Sequence, residues 1–383
     1  MPVETARPAA VPARKPAARK YPLYAPRFWH GMLLTDWLRL LARNRFRVHP
    51  LRWGLAGTVT GLTIFNSCMR WLERVRFERR ASATPMENPP VFIVGHWRSG
   101  TTYLHELMSL DDRYAWPTSY QCFAANHFLL TGWFMPRLFW CILPSKRPMD
   151  NVVTGWRQPQ EDEFALCAMG VPSPYLRMAF PNEPHEYLEY LDLEGLSPEE
   201  LRRWEQALLR FVRRLTLLSP KPLILKSPTH TGRLSVLARM FPGARFVHIV
   251  RDPRAIFAST LNLWQTLDEA QGLQVPRHQG LEGYIFRAFE RMYGGFQRQR
   301  DQLAPNQICD VRYEDLVREP VDQMARIYET LQLGDFQLVR DRVEQFAQGK
   351  RSYQTNRHEL PAHVLGELQH RWQDYFERYG YVA

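Results

Sequence analysis

Residues Gly95 to Leu107 read GHWRSGTTYLHEL, two glycines closing a six-residue loop and then two hydroxyls, Thr101 and Thr102. Backbone N–H groups from Ser99 to Thr102, with Gly100 between them, form a nest for phosphate oxygens where a helix begins. Arg98 adds a fork of charge-assisted donors inside the loop. A Walker loop carries lysine after its second glycine; here that place is Thr101. No aspartate-ended apolar strand nearby offers to hold magnesium, so the pattern argues against a metal-dependent NTPase.

A second group lies in RDPRAIFAS, where Arg251 and Ser259 stand eight residues apart, about two helical turns. An arginine and a hydroxyl so spaced suit a second phosphate on the same nucleotide. A third group provides charge and a base. Lys226 closes the apolar run LIL, and His230 follows four residues on; imidazole suits proton abstraction near neutral pH. Glu161 and Glu163, in QPQEDEFAL, are the other candidate bases, or first-turn acids that complement a helix dipole. His96, His105 and His127 read as packing or surface residues.

These groups need a scaffold. VFIV at 91–94 reads as a buried strand running into the glycine loop, with LHELMSL behind it at helical spacing. Ser197-Pro198-Glu199-Glu200 is a helix start with cap, proline and capping-box acid, followed by an apolar stripe from Leu201 to Leu218. Short strands follow at 223–225, 246–250 and within QICDVRY, ending near Lys226, Arg251 and Tyr313. Strands alternating with helices predict an α/β fold around a mostly parallel sheet, a P-loop-like three-layer arrangement with added N-terminal helices and a helical, aromatic insert. Ligands of such sheets bind beyond the carboxyl ends of the strands, where the loop, Lys226, Arg251 and Tyr313 all fall.

GHWRSGTT, LKSPTHTGRL and FVHIVRDPRAIFAS, in this order and spacing, resemble the sulfotransferases that use 3′-phosphoadenosine 5′-phosphosulfate (PAPS). KSPTHTGRLSVLARMFPGARFVHIVRDPRA is most similar to tyrosylprotein sulfotransferases and their bacterial relatives. The resemblance covers about residues 88–320. It implies that Arg98, Ser99, Gly100, Thr101 and Thr102 grip the 5′-phosphosulfate, that Arg251 and Ser259 grip the 3′-phosphate, and that Tyr313 lies against adenine. Sulfuryl transfer is an in-line displacement needing positioned positive charge, here from Arg98, Lys226 and the helix start, plus a base; no metal is required. The implied glutamate base some twenty residues past the loop has no counterpart, since no carboxylate stands between Arg113 and His127. GKRSYQTNR at 349–357 has cations where cytosolic relatives close over the 3′-phosphate, but its glycine precedes the Lys-Arg pair.

The chain has 383 residues, 45% hydrophobic and 23% charged, with net charge +11, which places it among globular proteins with anionic partners. Five scattered cysteines without CxxC spacing argue against a disulfide framework or a zinc site and fit a reducing, cytoplasmic compartment. Three segments are expected: a disordered basic tail (1–20), a helical segment (21–85) and a catalytic domain (86–383). WGLAGTVTGLTIFNSCM at 53–69 and FLLTGWFMPRLFWCILP at 128–144 fall short of a membrane span and suit a buried helix or an interfacial patch. Aromatic residues of the 113–185 insert suit a bulky, apolar or lipid-like acceptor, or simply core packing, with peripheral membrane contact and no nucleic-acid partner. Two other readings compete: a P-loop small-molecule or nucleoside kinase, and a non-catalytic polyanion- or membrane-binding protein on a degenerate nucleotide fold.

Overall fold

The run Val91–Val94 is four residues long, wholly apolar and wholly buried, and it forms the central strand β1 of the sheet. A strand buried on both faces needs no polar alternation. Val91 and Ile93 enter one core cluster, Phe92 and Val94 the other. The computed structural model describes residues 25–139, 155–350 and 360–382. The expected N-terminal tail, Trp140, and most of GKRSYQTNR lie outside the described residues.

Strands β1, β2 (Ile224–Lys226), β3 (Arg245–Val250) and β4 (Ile308–Arg312) form a four-stranded sheet in the order β2-β1-β3-β4. All pairings are parallel, with Ile93 opposite Lys226 and Val247, and Val250 opposite Arg312. From β1 the chain passes to β2 on one side and then crosses to β3 on the other, so the crevice past the carboxyl end of β1 is a topological switch point. The helices are α1 (Leu34–Arg43), α2 (Trp53–Ser82), α3 (Thr101–Met108), α4 (Ser119–Phe123), α5 (Phe128–Thr131), α6 (Met135–Leu138), α7 (Asp162–Ala168) and α8 (Pro198–Leu218). They continue with α9 (Leu234–Met240), α10 (Pro253–Gln271), α11 (Leu281–Arg300), α12 (Tyr313–Arg318), α13 (Pro320–Leu331), α14 (Gln337–Lys350), α15 (Ala362–Arg371) and α16 (Gln373–Arg378).

Local chemistry sets these boundaries. The Glu200 N–H donates to Ser197 Oγ and the Ser197 N–H to Glu200 Oε2, at 3.3 and 2.9 Å, the reciprocal capping box that opens α8. Trp204, Leu208, Phe211 and Leu215 of α8 are buried on the larger core. Leu104 and Leu107 of α3, with Met324, Ile327 and Leu331 of α13, cover the opposite face of the sheet.

The N-terminal helices share this core. Trp29 Nε1 donates to the Gln271 carbonyl at 2.7 Å, and Trp29, Trp37 and Val59 belong to the cluster that holds Phe92. The insert aromatics divide: Tyr120 and Phe128 are buried, Phe123, Phe134, Phe139 and Trp156 half-buried, and Trp133 exposed. Among the described residues, no helix is long and apolar enough to cross a membrane.

Candidate active site

The loop after β1 turns on two glycines that no other residue could replace without strain. A Cβ on Gly95, at φ +145°, would meet the Ile249 carbonyl of β3 at 2.4 Å. One on Gly100, at φ +105°, would meet the Tyr313 ring at 2.2 Å. The Gly95 N–H donates to Thr231 Oγ1 at 2.7 Å, which ties the loop to the segment after β2. Arg98, at φ +69°, is left-handed, a conformation non-glycine residues adopt where surrounding contacts hold them. Ser99 and Thr101 are buried, and Thr102 is half-buried at the start of α3.

Arg98, Arg251 and Ser259 come together across the switch point. Arg98 Nε donates to Ser259 Oγ at 2.8 Å, and Arg251 Nη1 donates to the Arg98 carbonyl at 3.0 Å. The Arg251 guanidinium lies 4.4 Å from the centre of the Tyr313 ring, the ring that also covers Gly100. Tyr375 of α16 fixes the Arg251 backbone: its hydroxyl accepts from the Arg251 N–H and donates to the Arg251 carbonyl, both at 3.2 Å. Two sequence-distant motifs and Tyr313 thus form one polar surface.

The acidic run at the start of α7 is sorted by the helix into three environments. Glu161, just before α7, meets Lys226 of β2: Lys226 Nζ donates to Glu161 Oε1 at 2.8 Å. The other oxygen accepts from the Tyr175 hydroxyl at 2.5 Å, and that hydroxyl accepts from Trp97 Nε1 of the loop at 2.8 Å. Burial first, and the adjacent Glu161 charge second, push the Tyr175 hydroxyl well above its usual range, so it stays a donor.

His230 and Glu163 lie elsewhere. His230 is 0% exposed, with Nε2 2.6 Å from Asp162 Oδ2 and Nδ1 3.2 Å from Arg233 Nη1. Arginine only donates, so Nδ1 accepts and Nε2 carries the proton shared with Asp162. Glu163, also 0% exposed, takes Arg233 at 2.7 and 3.1 Å and Thr229 Oγ1 at 2.9 Å. Burial alone would raise both carboxyls. His230 beside Asp162 and Arg233 beside Glu163 override it and hold both below the usual carboxylate range. The structure therefore brings Lys226 and Glu161 to the loop through Tyr175 and Trp97, and encloses His230 and Glu163 beneath them.

The two histidines flanking the loop are interior groups. His96 packs on Phe289 and Trp372, His105 is buried in α3, and burial lowers both to about 3. Tyr175 and Trp97 had not been singled out in the sequence. Tyr175 sits in a short 3-10 turn after Ser173-Pro174, and no spacing rule connects it to Glu161.

Parallel sheet, glycine loop at the switch point, and an arginine–serine pair spanning the end of β3 and the start of α10 are the architecture of a sulfotransferase. Residues 89–337 match the model of the Sulfotransferase family, and the chain belongs to that family. It is 42% identical over 358 residues, 94% of this chain and 92% of theirs, to proteins of Mycobacterium bovis and Mycobacterium tuberculosis named omega-hydroxy-beta-dihydromenaquinone-9 sulfotransferase Stf3. Two crystal structures share the fold: sulfotransferase STF9 of Mycobacterium avium, at 17% identity and TM-score 0.66, covers 86% of both chains. Sulfotransferase STF1 of Mycobacterium tuberculosis, at 18% identity and TM-score 0.61, covers 92% of this chain and 94% of its own.

Proposed function

We propose that this sulfotransferase takes its sulfuryl group from PAPS and delivers it to a hydroxyl on a long apolar acceptor, of the omega-hydroxylated menaquinone type that the Stf3 name states. The observation that carries the donor assignment is the joining of Arg98, Ser259 and Arg251 by two hydrogen bonds beside the helix start. That surface suits a nucleotide phosphorylated at two places, and a triphosphate less well. Arg251 and Ser259 take the 3′-phosphate, Arg98 and the N–H groups from Ser99 to Thr102 take the 5′ end, and Tyr313 offers its ring to adenine.

Glu161 is the base in this reading, in preference to His230 and Glu163, because it alone of the three touches Lys226 and Tyr175 at the carboxyl edge of the sheet. It accepts the acceptor's hydroxyl proton as the new oxygen–sulfur bond forms. The bond from sulfur to the 5′-phosphate oxygen breaks, and the leaving phosphate's charge falls to Arg98 and the α3 N-terminus. Once protonated, Glu161 no longer holds Lys226 by charge, which frees that ammonium for the transferring oxygens. No step requires a metal.

The acceptor reading rests on three stacked rings. Phe28 lies on Phe164 at 4.1 Å, and Phe164 lies on Tyr175 at 4.8 Å, both pairs nearly parallel. This wall leads from the N-terminal segment to the Glu161 carboxylate, and Phe28 and Phe164 are half-buried.

Titration calorimetry with 3′-phosphoadenosine 5′-phosphate and with ATP, without magnesium, tests the donor site. The bisphosphate should bind the more tightly. Arg251→Ala should weaken it about ten- to a hundred-fold, the loss of one charged hydrogen-bonding group. ATP binding better, or only with magnesium, would replace this reading with a kinase.

A further inference from the structure

Helix α2 is apolar on its outer side. Its buried side mixes Val59 and Ala81 with the polar Thr63, Asn66 and Glu73, whereas its outer side carries Trp53, Ile64, Trp71, Leu72 and Val75. The inner groups are fully used. Asn66 Nδ2 donates to the carbonyls of His30 and Met32 at 2.7 and 2.9 Å, and Glu73 accepts from the Leu130 N–H at 3.1 Å and pairs with Arg214 at 3.3 Å. A helix facing only water would place these residue types the other way round.

The outer stripe is continuous and at helical spacing: Trp53, Gly57, Gly61, Ile64, Cys68, Trp71 and Val75 follow at intervals of three and four. Trp53 and Trp71 are each 65% exposed and Val75 74%. Gly54, Gly57 and Gly61 have nothing within 4 Å of where a Cβ would stand. Glycine in a helix costs about 1 kcal/mol relative to alanine. These glycines fill no close contact within the chain; what they leave is a smooth surface.

Charge selects the occupant. The only acids of α2, Glu73 and Glu78, both pair with Arg214, and Glu78 also with Arg70. Arg74, Arg76, Arg79 and Arg80 are exposed at the carboxyl end. An apolar stripe with tryptophan at both ends, no exposed acid and a cluster of arginines is the pattern of a helix lying in the headgroup layer.

We propose that the outer face of α2 docks this enzyme on an anionic lipid surface, with the helix lying in the plane of the interface along about 45 Å. The proposal does not depend on which acceptor is used. Leu130 of α5 hydrogen-bonds Glu73 from the inside, so the docked helix is rigidly joined to the insert, and exposed Trp133 follows directly after α5.

Co-sedimentation of the full chain with phosphatidylcholine vesicles, with and without phosphatidylglycerol, tests this. Binding should require phosphatidylglycerol. Arg76→Gln/Arg79→Gln/Arg80→Gln should weaken it on the order of a hundred-fold, about five-fold per arginine. Trp53→Ser/Trp71→Ser should release the protein from the same vesicles while its circular dichroism and 3′-phosphoadenosine 5′-phosphate affinity stay unchanged. No association with anionic vesicles overturns the proposal, as does equal association with both kinds. Light scattering that shows a dimer dispersed by the tryptophan pair would also overturn it and make the face a contact between copies.

Discussion

Replacing Glu161 by glutamine removes a charge and leaves shape nearly unchanged, so it separates the base from the scaffold. Glutamine Oε1 can still accept from Tyr175, but Lys226, 2% exposed, loses the carboxylate 2.8 Å away. Two effects follow. Without nucleotide, an unpaired buried ammonium costs about 3–5 kcal/mol, and thermal stability falls. Bound 3′-phosphoadenosine 5′-phosphate, supplying a new anion near Lys226, should restore much of it. Transfer should fall by about 10²–10⁴, the usual contribution of a general base, while donor affinity does not weaken. The assay is single-turnover transfer of radiolabelled sulfate from PAPS to an omega-hydroxylated menaquinone in detergent, expressed per folded molecule. Glu163→Gln is the comparison. It leaves Arg233 unpaired in a 0% exposed site and should destabilise as much, yet folded molecules should keep their rate. If the Glu161 variant transferred within a few-fold of the parent, or the Glu163 variant lost rate per folded molecule, Glu161 would not be the base.

Gly100→Ala should abolish nucleotide binding in calorimetry, because its Cβ would enter the Tyr313 ring and force the ring off the loop; unchanged affinity would mean the ring does not define the site. Acid should destabilise the fold early. Burial lowers His30 and His127 to about 4 and His96 and His105 to about 3, against an ordinary value near 6.5. The unfolded chain binds these protons first, so stability is full above about pH 6.5 and falls from there toward pH 4, by up to about 1.4 kcal/mol per pH unit for each histidine. Asp36, Glu73 and Asp268, raised mainly by burial, offset part of this loss. A thermal midpoint that stays level between about pH 7 and pH 5 would contradict the reasoning.

The meeting of the glycine loop with Arg251 and Ser259 was legible because these residues are punctuated locally. An apolar run, two glycines and a helix start lie within a dozen positions, and Arg251 and Ser259 sit at a spacing the helix preserves. Which acid meets Lys226 was not legible. Glu161, Asp162 and Glu163 are adjacent in sequence, but a helix start turns successive residues to different sides, and tertiary packing decides which side meets Lys226. His230 had suitable chemistry and proximity in sequence, yet Phe92, Trp204 and Asp162 enclose it. Residues 53–69 showed their lack of charge in the sequence. That Asn66 would face inward depended on carbonyls of His30 and Met32, which no periodicity in α2 reports.

The first turn of α7 is riveted to the segment after β2 by two enclosed contacts, the Asp162–His230 hydrogen bond and the Glu163–Arg233 ion pair, while Glu161 alone meets Lys226. The Glu161 carboxylate, the base proposed above, is therefore held by Lys226 of β2 and by Tyr175. That separation favours divergence: side chains along the proposed acceptor wall, from Phe28 to Phe164, can be exchanged over evolutionary time while the charge constellation stays in register. On that reading, lineages sharing this α7 rivet would acquire new acceptors by redrawing the wall alone.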